Sequence, residues 1–84
     1  MTTVRLRYFA WLRERVGEPS ETVETAATTV AQLVDELRGR EERYALAFAD
    51  LAAVRIAVDE ELADLEAPLA GVREVAFFPP MTGG

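Results

Sequence analysis

The chain has 84 residues, 50% of them apolar, with a net charge of −6 and neither cysteine nor histidine. That length holds one domain with a modest core, and the composition excludes disulfides, thiolate chemistry, zinc fingers and imidazole acid–base catalysis. The acidic balance disfavours nucleic acid, no apolar run approaches a membrane span, and all nine cations are arginine, so no side chain carries an amine.

Thr2 to Phe9 alternates. Val4, Leu6 and Tyr8 point one way and Arg5, Arg7 and Phe9 the other, which predicts a strand with one buried face. This pattern is not that of a signal peptide. Ala10 to Val16 reads as a short helix ended by Gly17 and the breaker pair Glu18-Pro19. Glu21 to Thr25 is polar and β-branched, as suits an edge strand. Thr29 precedes Gln32 by three residues, a capping-box spacing. Val30, Leu33, Val34 and Leu37 then follow at helical intervals, and Gly39 is the expected stop. A second helical stretch spans about 41 to 50, with Tyr44, Ala47, Phe48 and Leu51 on one face.

Val54, Ile56 and Val58 alternate with Arg55 and Ala57, a second half-buried strand. Asp59 to Glu61 reads as a surface turn. Leu62 to Leu69 reads as irregular, because Pro68 opposes a central strand. Glu74 to Phe78 is the last strand. Val75 and Phe77 are expected inside with Leu6, Leu33, Leu37 and Ile56, while Ala76 and Phe78 face out. No calcium-loop spacing surrounds Asp59 or Asp64, so no bound metal is expected. The order strand, strand, helix, short helix, strand, strand describes an α+β domain with one main helix on a mixed sheet. The β-grasp is the simplest fold with that order. The domain is expected over 1–80, followed by a flexible tail, 81–84.

Pro79-Pro80 ends the last strand and holds the chain extended. Met81, Thr82, Gly83 and Gly84 follow. A dipeptide of glycine at a terminus is by itself unremarkable as a frayed end. After a proline-stiffened stem, two residues without Cβ make a slim tail that can thread a narrow pocket. The group delivered is the Gly84 α-carboxylate. It becomes electrophilic once ATP converts it to an acyl-adenylate. The sequence has no phosphate-cradling loop of its own, so an activating enzyme must supply that step. The chain then acts as carrier and substrate.

The segment EVAFFPPMTGG, Glu74 to Gly84, resembles the C-terminal signature of the MoaD family, the small sulfur-carrier subunits of molybdopterin synthase. RYFAWLRERVG, Arg7 to Gly17, resembles that family's first strand and short helix. TVAQLVDELRGR resembles its main helix and RIAVDEEL its central strand and turn. The resemblance covers essentially the whole length. Two departures stand out. Asp59 occupies a place usually held by Asn, and Gly71-Val72-Arg73 replaces a common Asp-Gly-Asp turn.

The resemblance implies a ubiquitin-like β-grasp that is no enzyme alone. It implies adenylation of Gly84 by a MoeB-like enzyme using ATP, then a thiocarboxylate made with sulfur from a persulfide donor. The chain itself would bind no cofactor. The tail, Met81 to Gly84, would insert into a MoaE-like large subunit and give sulfur to a pterin precursor, forming the molybdopterin dithiolene. The implied assembly is a heterotetramer; the composition, for its part, reads as that of a cytoplasmic protein with neither nucleic acid nor membrane as partner.

Alternation also predicts a docking face. Arg5, Arg7 and Phe9 would lie beside Arg55, Ala76 and Phe78 if their strands are neighbours, with Pro79 and Pro80 at its margin. Phe and Arg suit interface cores, although isolated exposed aromatics and strand arginines are also ordinary surface features. Trp11 could cap the core edge or join an interface. Arg13-Glu14-Arg15 and Glu41-Glu42-Arg43 read as solvated helix faces. Three other functions remain open. The first is a sulfur carrier for another pathway, of the ThiS-like thiazole type. The second is a ubiquitin-like protein modifier, and the third is an interaction domain with an incidental tail.

Overall fold

The computed structural model describes residues 1–80; the expectations for Met81, Thr82, Gly83 and Gly84 lie outside them. The elements in order are β1 (Thr2–Tyr8), α1 (Ala10–Val16), β2 (Ser20–Thr25), α2 (Val30–Arg40), α3 (Glu42–Ala47), β3 (Arg55–Val58), β4 (Glu61–Ala63) and β5 (Glu74–Phe78). A 3-10 turn, Leu51–Ala53, separates α3 from β3. The strands form one mixed sheet in the order β2-β1-β5-β3-β4. β5 runs parallel to β1 and antiparallel to β3, so the last strand sits in the middle. This is the α+β, β-grasp arrangement expected from the element order.

The inner face is dictated by alternation. Val4, Leu6 and Tyr8 of β1, Ile56 of β3, and Val75 and Phe77 of β5 are all buried. Against them α2 packs Val30, Leu33, Val34 and Leu37, and Tyr44, Ala47 and Phe48 close one end. Phe77 is held from two sides. Its ring stacks on Tyr8 at 5.9 Å and meets Phe48 edge-on at 4.9 Å. Such pairs add to the stabilisation from apolar burial alone.

Several boundaries differ from the sequence reading. β1 ends at Tyr8, and Phe9 is the residue that caps α1. Gly39 does not stop α2. The helix continues to Arg40, whose guanidinium lies 3.8 Å from the Glu36 carboxylate and donates to the Glu24 carbonyl at 2.8 Å. These contacts hold a turn that glycine alone would let fray. The second helical stretch is shorter than expected, because Leu51 begins the 3-10 turn capped by Asp50.

The capping box is half formed. Thr29 Oγ1 accepts from the Gln32 N–H at 3.2 Å, but Gln32 Oε1 accepts from the N–H of Thr28, not Thr29, at 2.8 Å. The remaining first-turn donors, Val30 and Ala31, are satisfied by the carbonyls of Ala67 and Leu65. The segment read as irregular therefore covers the start of α2, and it also contributes β4.

Asp59 and Glu60 alone form the β3–β4 turn, with Glu61 already in β4. Both turn residues have positive φ, 48° and 72°, as a two-residue hairpin of type I′ requires. Asp59 answers the question raised by its departure from Asn. Its Oδ1 accepts from the N–H groups of Arg73 and Glu74, each at 3.0 Å, and its own N–H donates to the Glu74 carbonyl at 2.9 Å. One carboxylate thus ties the hairpin turn to the start of β5. Gly71 takes φ of 76°, which supplies the displaced glycine's sharp bend.

Candidate functional site

The outer face of β5 is where the chain leaves the sheet. Because Val75 and Phe77 are committed to the core, Glu74, Ala76 and Phe78 must face outward. Register sets their neighbours. Ala76 lies between Arg7 of β1 and Ala57 of β3, Phe78 opposes Arg55, and Glu74 opposes Arg5.

Two alanines side by side leave a trough. It is about 660 Å³ in volume, with Ala57 and Ala76 as floor, Phe9 and Phe78 as aromatic sides, and Pro79 and Pro80 at the end where the stem departs. Arg7, Glu60 and Glu74 supply its charged rim. The Arg7 guanidinium lies 5.1 Å from the centre of the Phe9 ring and 4.0 Å from the Glu74 carboxylate. Arg7 and Phe9 are exposed and Glu74 is half-buried, so each contact is individually modest, but together they bias where the positive charge sits.

Of the residues expected on a docking face, Arg7, Phe9, Ala76, Phe78, Pro79 and Pro80 come together in this groove. Arg5 and Arg55 are exposed on the same face but do not line it. Sequence reasoning left out Glu60 and Glu74 as lining residues. Counting back from Phe78 puts Glu74 on the outer face, but its proximity to Arg7 needs the parallel β1–β5 register. Glu60 enters from a turn, where alternation gives no signal.

Beneath the sheet the platform is held by polar contacts. Glu21 Oε2 accepts from the Tyr8 hydroxyl at 2.9 Å and the Tyr44 hydroxyl at 2.6 Å. Arg43 donates to Tyr44 Oη at 3.0 Å and to the Val16 carbonyl at 2.9 Å. Burial, with the neighbouring Glu21 carboxylate, pushes the Tyr8 phenol well above its usual range and Tyr44 up to about 12. Trp11 packs against the core margin with the Arg15 guanidinium 4.5 Å above its ring. Among the described residues, no group of three or more Asp, Glu, His or Cys is placed to hold a metal, and no helix is long and apolar enough to cross a membrane.

The profile of the ThiS family matches residues 6–84. The chain belongs to the ThiS family. Within the family's wider kin it is 37% identical to the molybdopterin synthase sulfur carrier subunit of Escherichia coli (strain K12), covering 96% of this chain and 99% of that protein. The chain is thus a full-length relative of the MoaD sulfur carriers that its C-terminal signature resembles. Among solved structures, SAMP1 from Haloferax volcanii aligns at 25% identity with a TM-score of 0.74, over 99% of this chain and 100% of that one. Subunit 1 or 2 in the protein–protein complex of the molybdopterin-converting factor from Helicobacter pylori 26695 aligns at 25% identity with a TM-score of 0.65, again over 99% and 100%. In this ThiS-family chain the groove therefore lies at the base of the segment that carries the MoaD-like signature.

Proposed function

We propose that this protein is the sulfur-carrier subunit of a molybdopterin synthase. The observation that carries the reading is the end-to-end similarity to a protein of that role at 37% identity. The reacting group is the Gly84 α-carboxylate. In the proposed sequence a MoeB-like enzyme binds the outer sheet face, and the carboxylate attacks the α-phosphorus of ATP with loss of pyrophosphate. A persulfide donor then displaces AMP. Cleavage of the resulting acyl disulfide by a thiol leaves sulfur on the Gly84 carbonyl as a thiocarboxylate.

Loaded in this way, the chain docks on a MoaE-like large subunit as a heterotetramer in the cytoplasm. The tail, Met81 to Gly84, delivers sulfur to a pterin precursor there. The chain is then half of a sulfurtransferase and no enzyme alone. Phe9, Phe78 and the alanine floor suit a partner's apolar side chain, and Arg5, Arg7 and Arg55 suit an acidic rim. The complex of two molybdopterin-converting-factor subunits from Helicobacter supports a large-subunit partner.

The test is mass spectrometry after incubation with a MoeB-like enzyme, ATP and a persulfide donor. One sulfur replacing one oxygen, localised by fragmentation to Gly84, is the expected result. Localisation matters because oxidation of Met1 or Met81 adds nearly the same mass. An unmodified terminus, with an enzyme active on its own carrier, would overturn the reading. The likeness to SAMP1, a small archaeal modifier protein, favours one second reading, transfer of the activated terminus to amines of other proteins. Isopeptide-linked conjugates in place of a thiocarboxylate would select it.

A further inference from the structure

The sheet face around the stem carries three arginines beside Glu60 and Glu74, yet no amine or thiol. Arg5, Arg7 and Arg55 are exposed there, and the sequence has no lysine, cysteine or histidine anywhere. A guanidinium supplies charge without reactivity, because it stays protonated and has no free lone pair. A lysine in the same place would hold an amine with a pKa of about 10.4, a fraction of which is free at neutral pH. Any acyl-adenylate or thioester at Gly84 is destroyed by an amine that reaches it.

Reach is set by covalent geometry. Four residues follow Pro80, and they span at most roughly 14 Å. Arg7 is level with Ala76 on the neighbouring strand and lines the same groove as Pro79 and Pro80, and the eight residues after Ala76, with a reach of at most roughly 29 Å, are long enough to return to it. Met1 is out of reach. β1 and β5 are parallel, with Tyr8 level with Phe77 at the stem end. Phe78 is therefore level with Phe9. Met1 lies eight strand steps away, roughly 26 Å, whereas the six residues after Phe78 extend at most roughly 22 Å.

Nearby hydroxyls are poor substitutes. Tyr8 is buried and donates to Glu21. Ser20 pairs with Arg7 across β1–β2, and among the described residues no side chain accepts a hydrogen bond from its hydroxyl. An alcohol without a base to accept its proton is a weak nucleophile.

We propose that the arginines of this face, Arg7 above all, are selectivity residues: they offer a partner positive charge while denying the activated Gly84 acyl group any nucleophile in cis. Slow hydrolysis aside, the acyl group then leaves to a nucleophile that a partner brings. This deepens the sulfur-carrier reading and rests on Gly84 being the activated group.

The experiment uses the full chain prepared chemically with Gly84 as the thioester of a small thiol, followed by intact mass at mildly alkaline pH. The wild-type thioester is expected to decay only by hydrolysis to the free acid. In Arg7→Lys, Nζ attacks the Gly84 carbonyl carbon, the C–N bond forms, the C–S bond breaks, and the thiolate leaves and takes up the proton. The product is lighter than the free acid by one water, and the thioester disappears at least about tenfold faster, as intramolecular capture predicts. Arg38→Lys, on α2 behind the sheet, is expected to decay at the wild-type rate.

Self-capture by the wild type would overturn the proposal. So would decay of Arg7→Lys to the free acid at the wild-type rate, with its melting transition intact. If Arg7→Lys does not fold, Arg55→Lys, exposed opposite Phe78, takes its place with the same two outcomes. No activating enzyme is involved, so failure here is distinct from failure of Gly84 to accept sulfur.

Discussion

Ala57 and Ala76 stand directly opposite each other across the β3–β5 pairing, and their methyl groups form the floor of the groove at the base of the stem. A larger side chain at either place fills the trough without entering the core. Ala76→Leu is expected to leave thermal stability within about 0.5 kcal/mol of wild type. Its affinity for a MoaE-like large subunit should fall at least about tenfold, ~1.4 kcal/mol. Calorimetric titration of the purified subunits measures this.

Neighbouring aromatics on β5 should behave oppositely. Phe77 is fully buried between Tyr8 and Phe48, whereas Phe78 is only half-buried on the groove side. Phe77→Ala is expected to cost about 3–5 kcal/mol in denaturant unfolding. Phe78→Ala should weaken partner binding and leave the fold nearly intact. A comparable loss of stability in both variants would contradict the assignment of Phe78 to a docking face.

Glu60 holds φ at 72° in the β3–β4 turn, with an L side chain where glycine is free of strain. Glu60→Gly is therefore expected to raise stability by roughly 1 kcal/mol, the cost of a left-handed residue, offset in part by the greater freedom of the unfolded chain. The midpoint of urea unfolding reports the sign.

Gly39 lies inside α2, and a Cβ added there meets nothing within 4 Å. Its backbone is helical, so alanine fits without strain. Gly39→Ala should stabilise the protein by about 0.5–1 kcal/mol, visible as a higher melting temperature.

Tyr8 and Tyr44 both donate to Glu21, and both are raised above the ordinary phenol range, Tyr44 to about 12. A raised phenol keeps its proton in the folded state after the unfolded chain has lost it. The stabilisation is complete below about pH 10, the unfolded value. It is lost as pH rises from there through the folded values, with a slope of at most about 1.4 kcal/mol per pH unit for each group. Tyr44→Phe should lower stability at neutral pH and make the alkaline decline shallower. A decline as steep as in the wild type would exclude Tyr44 as its source.

Period-two alternation determined much of this protein from sequence alone. It put Val4, Leu6, Ile56, Val75 and Phe77 inside and Arg5, Arg7, Ala57, Ala76 and Phe78 outside, because a strand offers only two faces. The helical spacing from Val30 to Leu37 similarly located the main helix. The C-terminal segment from Glu74 carried the most specific part of the family resemblance. Alternation assigns a face, however, and never a neighbour. That β5 lies between β1 and β3, that Ala57 meets Ala76, and that Glu74 approaches Arg7 depend on strand pairing between residues far apart in the chain. β4 was invisible because three residues carry too little pattern to read. α2 passed through Gly39 because Arg40 finds Glu36 one turn back in the same helix and the Glu24 carbonyl of β2, a contact that exists only once helix and sheet have packed together.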